Sequence, residues 1–253
     1  MALNKKTKIV ILIVFILILI FFVGPFILGP QDWDNRYDKK FDNKVARQEC
    51  ASNPNPVFTH NITDLPKIKM IVPPGSIEIY QNKKIVKPHS YVLVNERAPV
   101  YAPADGILVE GAYYFEEGNV YYLHFQTSCE IVYRFDHIMD PIEEIKNAFP
   151  SEPAMTTYTM SPKENVKVKA GQLIGYTVKS TAASHGIWFD FGAVNLTQTK
   201  DLSNLEKQGV KLDERDYQSV CPYDFFPKDM KQKYYSLFGN YKDNGVIPTL
   251  YCK

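Results

Sequence analysis

Pro99-Val100-Tyr101-Ala102-Pro103-Ala104-Asp105-Gly106-Ile107-Leu108-Val109 reads as strand, turn, strand. Val100 is expected to share a face with Ile107 and Val109. Pro103 to Gly106 supply the turn, with Asp105 as a turn residue and Gly106 free to take φ > 0. Downstream, Val166-Lys167-Val168-Lys169-Ala170-Gly171-Gln172-Leu173-Ile174-Gly175 repeats the same logic. Two similar β units, far apart in sequence, thus frame one β-rich domain.

The flanking sequence agrees. Short strands are expected at 68–72, 77–80, 91–94, 100–102, 107–115, 120–126, 130–135, 157–160, 166–168, 173–178 and 186–194. Turn residues separate them, which argues for a mainly β sandwich or barrel-like fold. Tyr and Phe are abundant and favour strands. Glu116 and Glu117 read as a solvated hairpin tip. One helix interrupts the strands, with Asp140 as N-cap, Pro141 as first residue and Glu143 completing a capping box. A short C-terminal helix is expected over 227–238, ended by Gly239.

Lysine plus arginine (29) nearly balances aspartate plus glutamate (28), so nothing electrostatic points to nucleic acid. Lys5, Lys6 and Lys8 precede an uncharged apolar run over 9–28, long enough to span a bilayer. That run is read as a single-pass membrane anchor, with a cleaved signal peptide as runner-up. The lysines keep residues 1–8 in the cytoplasm and place the main domain outside. Residues 29–66 form a polar linker, 67–200 the β domain and 201–253 a C-terminal extension.

Cys50, Cys129, Cys221 and Cys252 make no C-x-x-C pair, so a zinc knuckle is not expected. Outside the cytoplasm an even count fits two disulfides. Of the three connectivities, Cys50–Cys129 with Cys221–Cys252 is favoured; four buried thiols are the alternative.

The stretch 99–109, then Phe135-Asp136-His137-Ile138, then 166–175 occur in the order found in the lysostaphin-like zinc endopeptidases, which cut peptide cross-links in bacterial cell walls. Residues 88–194 resemble that family, whose fold is a duplicated hybrid motif. Biotinyl and lipoyl carriers share the β units but need a lysine at the tip where Ala104-Asp105-Gly106 stands. The resemblance implies a zinc ion held by the His and Asp of an H-x-x-x-D motif and the second His of H-x-H, with two more histidines acting on water and oxyanion.

Carried over residue by residue, His89 falls at the first ligand and Leu93 where aspartate is required. His137 matches the remaining catalytic histidine. Gly186 and Trp188 fall at the two H-x-H positions, and His185 is one residue out of register. Leucine, glycine and tryptophan do not ligate zinc. A rearranged site from His89, His137 and His185, with Asp136 or Asp190, is the alternative, and it keeps zinc open as a cofactor. Tyr91, Trp188 and Asp190 are candidate binding residues in the cleft. His60 and His124 receive no role. The expected function is a degenerate, non-catalytic binding or scaffold module at the cell envelope, with no cofactor expected. Its partner is expected to be a cell-surface polymer or an envelope protein. A zinc hydrolase and a structural subunit of a membrane complex are the alternatives.

Overall fold

The computed structural model describes residues 50–80, 82–116, 118–155, 157, 159–177, 186–240 and 247–252. The expected anchor 9–28, linker residues 29–49, Glu117 and His185 lie outside the described residues. Among the described residues no helix is long and apolar enough to cross a membrane.

In chain order the strands are β1 (Ile68–Val72), β2 (Ser76–Tyr80), β3 (Lys83–Lys87), β4 (Ser90–Val94), β5 (Pro99–Tyr101), β6 (Gly106–Phe115), β7 (Asn119–Gln126), β8 (Ile131–Ile138), β9 (Asp140–Pro141), β10 (Lys167–Val168), β11 (Leu173–Tyr176), β12 (Ile187–Asn195), β13 (Val210–Lys211) and β14 (Ser219–Val220). Among the described residues four short α-helices accompany them: α1 (Glu143–Asn147), α2 (Ser203–Lys207), α3 (Glu214–Gln218) and α4 (Lys228–Ser236).

The two β units of the sequence interlock. β5 pairs antiparallel with β11, and β6 with β10, so each unit lends a strand to the other. Asp105 fastens the join: its carboxylate accepts from Lys169 Nζ at 2.8 Å and from the Ala170 amide at 2.9 Å. Gly106 does not take the positive φ expected of it. It lies in β6, and a Cβ there would stand 2.9 Å from the Tyr133 hydroxyl. Its bareness serves close packing, not the turn. The facing also differs from expectation. Leu108 joins Val100 in the core, while Ile107 and Val109 are half-buried on the other side. Adjacent strand residues face opposite ways, so the start of β6 is reversed relative to the expectation, up to the bulge between Leu108 and Glu110.

The large sheet runs β1-β4-β12-β8-β7-β6-β10, with β14 also on β12. Two smaller sheets, β5-β11-β9 and β13-β3-β2, complete the mainly β fold of the described residues, among which none of the three closes into a barrel. One face of the large sheet is aromatic core. Phe125, Tyr133, Phe135, Phe189 and Phe191 are fully buried there, against Phe58, Tyr223 and Tyr234. The core therefore draws on the C-terminal segment as well as on the sheet.

The expected capping box at Asp140 is not formed. Asp140 and Pro141 are β9, paired with Tyr176 and Gly175. The helix starts two residues later behind Ile142, with no side-chain cap. Strand pairing to β11 outcompetes the local cap. β3, with the sequence Lys-Lys-Ile-Val-Lys, was not expected from pattern, because lysine is a poor strand marker. Residues 157 and 159–160 contribute only the isolated bridge of Met160 to Gly111. Cys50 pairs with Cys129 and Cys221 with Cys252.

Candidate functional site

The other face of the large sheet is polar, and alternation in four strands puts it there. Tyr91 and Leu93 of β4 oppose the core residues Val92 and Val94. In β12, Trp188, Asp190 and Gly192 alternate with Phe189 and Phe191. Arg134 and Asp136 of β8 do the same against Tyr133 and Phe135, as Tyr122 and His124 of β7 do against Leu123 and Phe125. β6 adds Glu110 and Tyr114. Trp188 is directly opposite Leu93, and Asp190 lies between Tyr91 and Asp136.

His137 should point away from Asp136 in a regular strand. It does not, because β8 bulges there: Asp136 and His137 together answer the single residue Tyr122. His137 takes φ 60°. That conformation is uncommon for a residue with a Cβ and costs of the order of 1 kcal/mol. The Asp136 carboxylate secures it, accepting from the His137 amide at 2.7 Å and from the Tyr114 hydroxyl at 2.9 Å. The bulge brings both side chains to one face.

Asp190 is the hub. Its Oδ2 lies 3.2 Å from His89 Nε2 and 3.3 Å from His137 Nδ1. Asp136, His137 and Asp190 each place one potential ligand atom within 4.8 Å of the others. Glu116 Oε2 stands 3.7 Å from His137 Nε2. The Trp188 ring centroid is 5.5 Å from that of His137.

His89 is held from both ends. An Arg134 guanidinium nitrogen lies 3.1 Å from His89 Nδ1. Guanidinium only donates, so Nδ1 accepts and the ring proton sits on Nε2, facing Asp190. Arg134 also donates to the Tyr122 hydroxyl at 2.7 Å. Gly192 leaves room for this arginine, since a Cβ there would stand 2.8 Å from Arg134 Nε. Beyond it, Arg215 of α3 reaches Glu110 at 3.1 Å and the Tyr122 hydroxyl at 3.4 Å. His124 Nδ1 lies 3.0 Å from Glu110 Oε2. A polar chain thus crosses the sheet from α3 to Glu116.

The imidazoles differ in charge. Burial pushes His89 down to about 3, with Arg134 adding to the effect and Asp190 opposing it. Burial likewise lowers His124 to about 4 against the pull of Glu110. Burial also works against a charged His137, but Asp136, Asp190 and Glu116 outweigh it and hold its pKa well above the usual histidine value. Asp190 is held at about 2 by its two histidines despite its burial, and burial raises Asp136 to about 6 against the pull of His137. At neutral pH the site is an imidazolium ringed by carboxylates, beside a neutral imidazole.

Below pH 6.5 the unfolded chain protonates His89 and the folded chain does not until about pH 3. The folded state therefore loses up to about 1.4 kcal/mol per pH unit over that window. His89→Gln lacks this term, so the stability of wild type relative to the variant should fall as pH drops from about 6.5 to about 3. Urea unfolding of both at several pH values checks it; a constant difference would show that His89 is protonated in the fold.

Of the residues singled out from sequence, His89, Tyr91, His137, Trp188 and Asp190 share this face, and His185 lies outside the described residues. Arg134, Tyr114 and Glu116 were missed. The alternation in Tyr133-Arg134-Phe135-Asp136 carries a signal for two of the site's charges on one face, but bulge and partners are set by neighbouring strands.

No family model matches the chain, and no curated protein does. Among solved structures, lysostaphin from Staphylococcus simulans, an antimicrobial peptidase, is 16% identical over 77% of this chain and 62% of its own, with a TM-score of 0.42. The SpoIIQ-SpoIIIAH pore-forming complex gives 12% identity over 69% of this chain and 93% of the other, with a TM-score of 0.41. A zinc-containing peptidase from Vibrio cholerae gives 17% identity and a TM-score of 0.36; the match takes in 58% of this chain but spans only 37% of the Vibrio protein.

Proposed function

We propose that this chain is a membrane-anchored, non-hydrolytic binding or scaffold module with a lysostaphin-like β domain at the cell envelope. The observation that carries the reading is the state of His89. Its Nδ1 lone pair is taken by Arg134, and its Nε2 proton faces Asp190. It has no lone pair left for zinc or for a proton from water. The other positions implied by the resemblance hold Leu93, Gly186 and Trp188. The family's zinc set therefore does not fit the residues present, and no hydrolytic step is derived through it.

The polar face retains what a binding surface uses: the half-buried rings of Tyr91 and Trp188, and the charged pair His137 and Glu116 beside Trp188. The apolar run 9–28 supports a single-pass anchor. The two disulfides support an oxidising compartment for the domain. The partner is a cell-surface polymer or an envelope protein.

The test uses the full chain purified in detergent and supplied with zinc. Incubation with cross-linked cell-wall peptides should release no fragments, while the chain should co-sediment with insoluble cell wall or with a solubilised envelope protein. Turnover that disappears in His89→Ala would replace this reading with that of a zinc hydrolase.

A further inference from the structure

The polar face carries an unbalanced feature. Asp136 and Asp190 are directly opposite one another on β8 and β12. Like charges at cross-strand positions repel, and without a metal ion the cation beside them is the protonated His137 ring, 3.3 Å from Asp190. Two buried atoms here also lack hydrogen bonds. Asp190 is 3% exposed, yet its Oδ1 has no hydrogen-bond partner. His137 Nδ1 makes no well-aligned hydrogen bond; its neighbour is Asp190 Oδ2, in ion-pair contact at 3.3 Å. Orphaned buried polar atoms of this kind ask for an explanation, an ion among them.

We infer that Asp136, His137 through Nδ1, and Asp190 form a site for one divalent transition-metal ion of zinc's class. The donor set is one imidazole nitrogen with carboxylate oxygens, which zinc accepts. Calcium and magnesium prefer oxygen alone and in greater number. The spacing agrees as well. Two ligand atoms of a tetrahedral ion lie roughly 3.3 Å apart at zinc bond lengths; His137 Nδ1 and Asp190 Oδ2 are 3.3 Å apart, and all three ligand atoms lie within 4.8 Å of one another.

Each ligand already has a partner that orients it, as metal ligands do. Glu116 Oε2 faces His137 Nε2, the nitrogen away from the ion. His89 Nε2 faces Asp190, and the Tyr114 hydroxyl donates to Asp136. The bulge that turns His137 onto the face of Asp136 is what assembles the set. This site shares no residue with the implied zinc set of His89, Leu93 and Trp188. It stands whether or not the chain hydrolyses anything.

The ion competes with the proton on His137, so binding releases protons and tightens as pH rises. Three other groups face that imidazole and shape the dependence: Asp190, Asp136 and Glu116. The test is zinc stoichiometry and affinity of the full chain in detergent, by competition with a chromogenic chelator, together with the visible spectrum of the cobalt(II) form. His137→Asn is the chosen variant, because asparagine tolerates φ > 0 and leaves the bulge intact. Asp190→Asn is the second, and His60→Ala, on a histidine outside this face, is the control. One zinc per chain is expected for wild type and control. Loss of a direct ligand should weaken binding by more than about 100-fold in both site variants, beyond what outer partners cost. The cobalt spectrum should vanish with it. Wild type that binds no zinc, or zinc bound equally by His137→Asn, overturns the inference. Neither result alters the hydrolysis test, so the two readings fail separately.

Discussion

Arg134→Met should destabilise the fold by about 3–5 kcal/mol and raise the pKa of His89. The arginine is 7% exposed and bridges three strands, through Tyr122 on β7 and His89 at the head of β4. Breaking a buried ionic network from one side typically costs this much, because the remaining charges lose their counterion. Here those charges are Asp190 and, from α3, Asp216, which both feel the arginine. Methionine fills most of the volume, so the loss is electrostatic and not a cavity. His89 is the more telling readout. Burial and the arginine's charge both hold its pKa down, and Asp190 pulls it up. Without the arginine, Nδ1 regains a lone pair and the imidazole moves toward an ordinary value. Urea unfolding gives the first number, and an NMR titration of the His89 ring gives the second. An unchanged His89 titration would mean that the arginine does not occupy Nδ1 in solution.

Replacing Cys221 and Cys252 together by serine should cost about 4 kcal/mol in the chain-entropy account of disulfide stabilisation. The bond closes a loop with a sequence separation of 31 residues. Cys50–Cys129 closes one of 79. Because the cost grows only as the logarithm of loop length, the second pair is expected to cost less than about 1 kcal/mol more. What comes loose differs. Without Cys252, Tyr251 is held by its hydrogen bond to the Asp216 carbonyl, at 2.9 Å, by Lys200 over its ring, and by its packing with Val86 and Val210. That loosens the wall behind Arg215 and Asp216. Non-reducing denaturant titrations of each double-serine variant check the figure, and a loss below about 1 kcal/mol in both would place the stability in the aromatic core alone.

Much of the architecture was legible from alternation and turn residues. The strands of the large sheet and both β units fall close to where the pattern puts them. What failed did so where tertiary pairing overrode local preference. Asp140-Pro141 has the chemistry of a helix start, yet pairs with β11. Gly106 has the freedom a turn needs, yet is used for its small size beneath Tyr133. The site was half legible. His89, His137 and Asp190 stood out by residue type, and the alternation in β12 fixes Asp190 on the polar face. Arg134 looked like any strand arginine. Its role depends on three strands meeting, and on a bulge in β8 that no period-2 reading anticipates.

The placement of the disulfides has a mechanical consequence. A pull on the chain from upstream of Cys50 enters the body through sulfur at Cys129, at the junction of β7 and β8. It bypasses residues 51–128. A pull from the other end leaves at Cys221 and bypasses 222–251. Tension between the two ends is then carried by residues 129–221 alone, beginning at β8, which is flanked in the large sheet by β7 and β12. With both bonds intact, stretching cannot lengthen the two bypassed loops. Only reduction would release their slack.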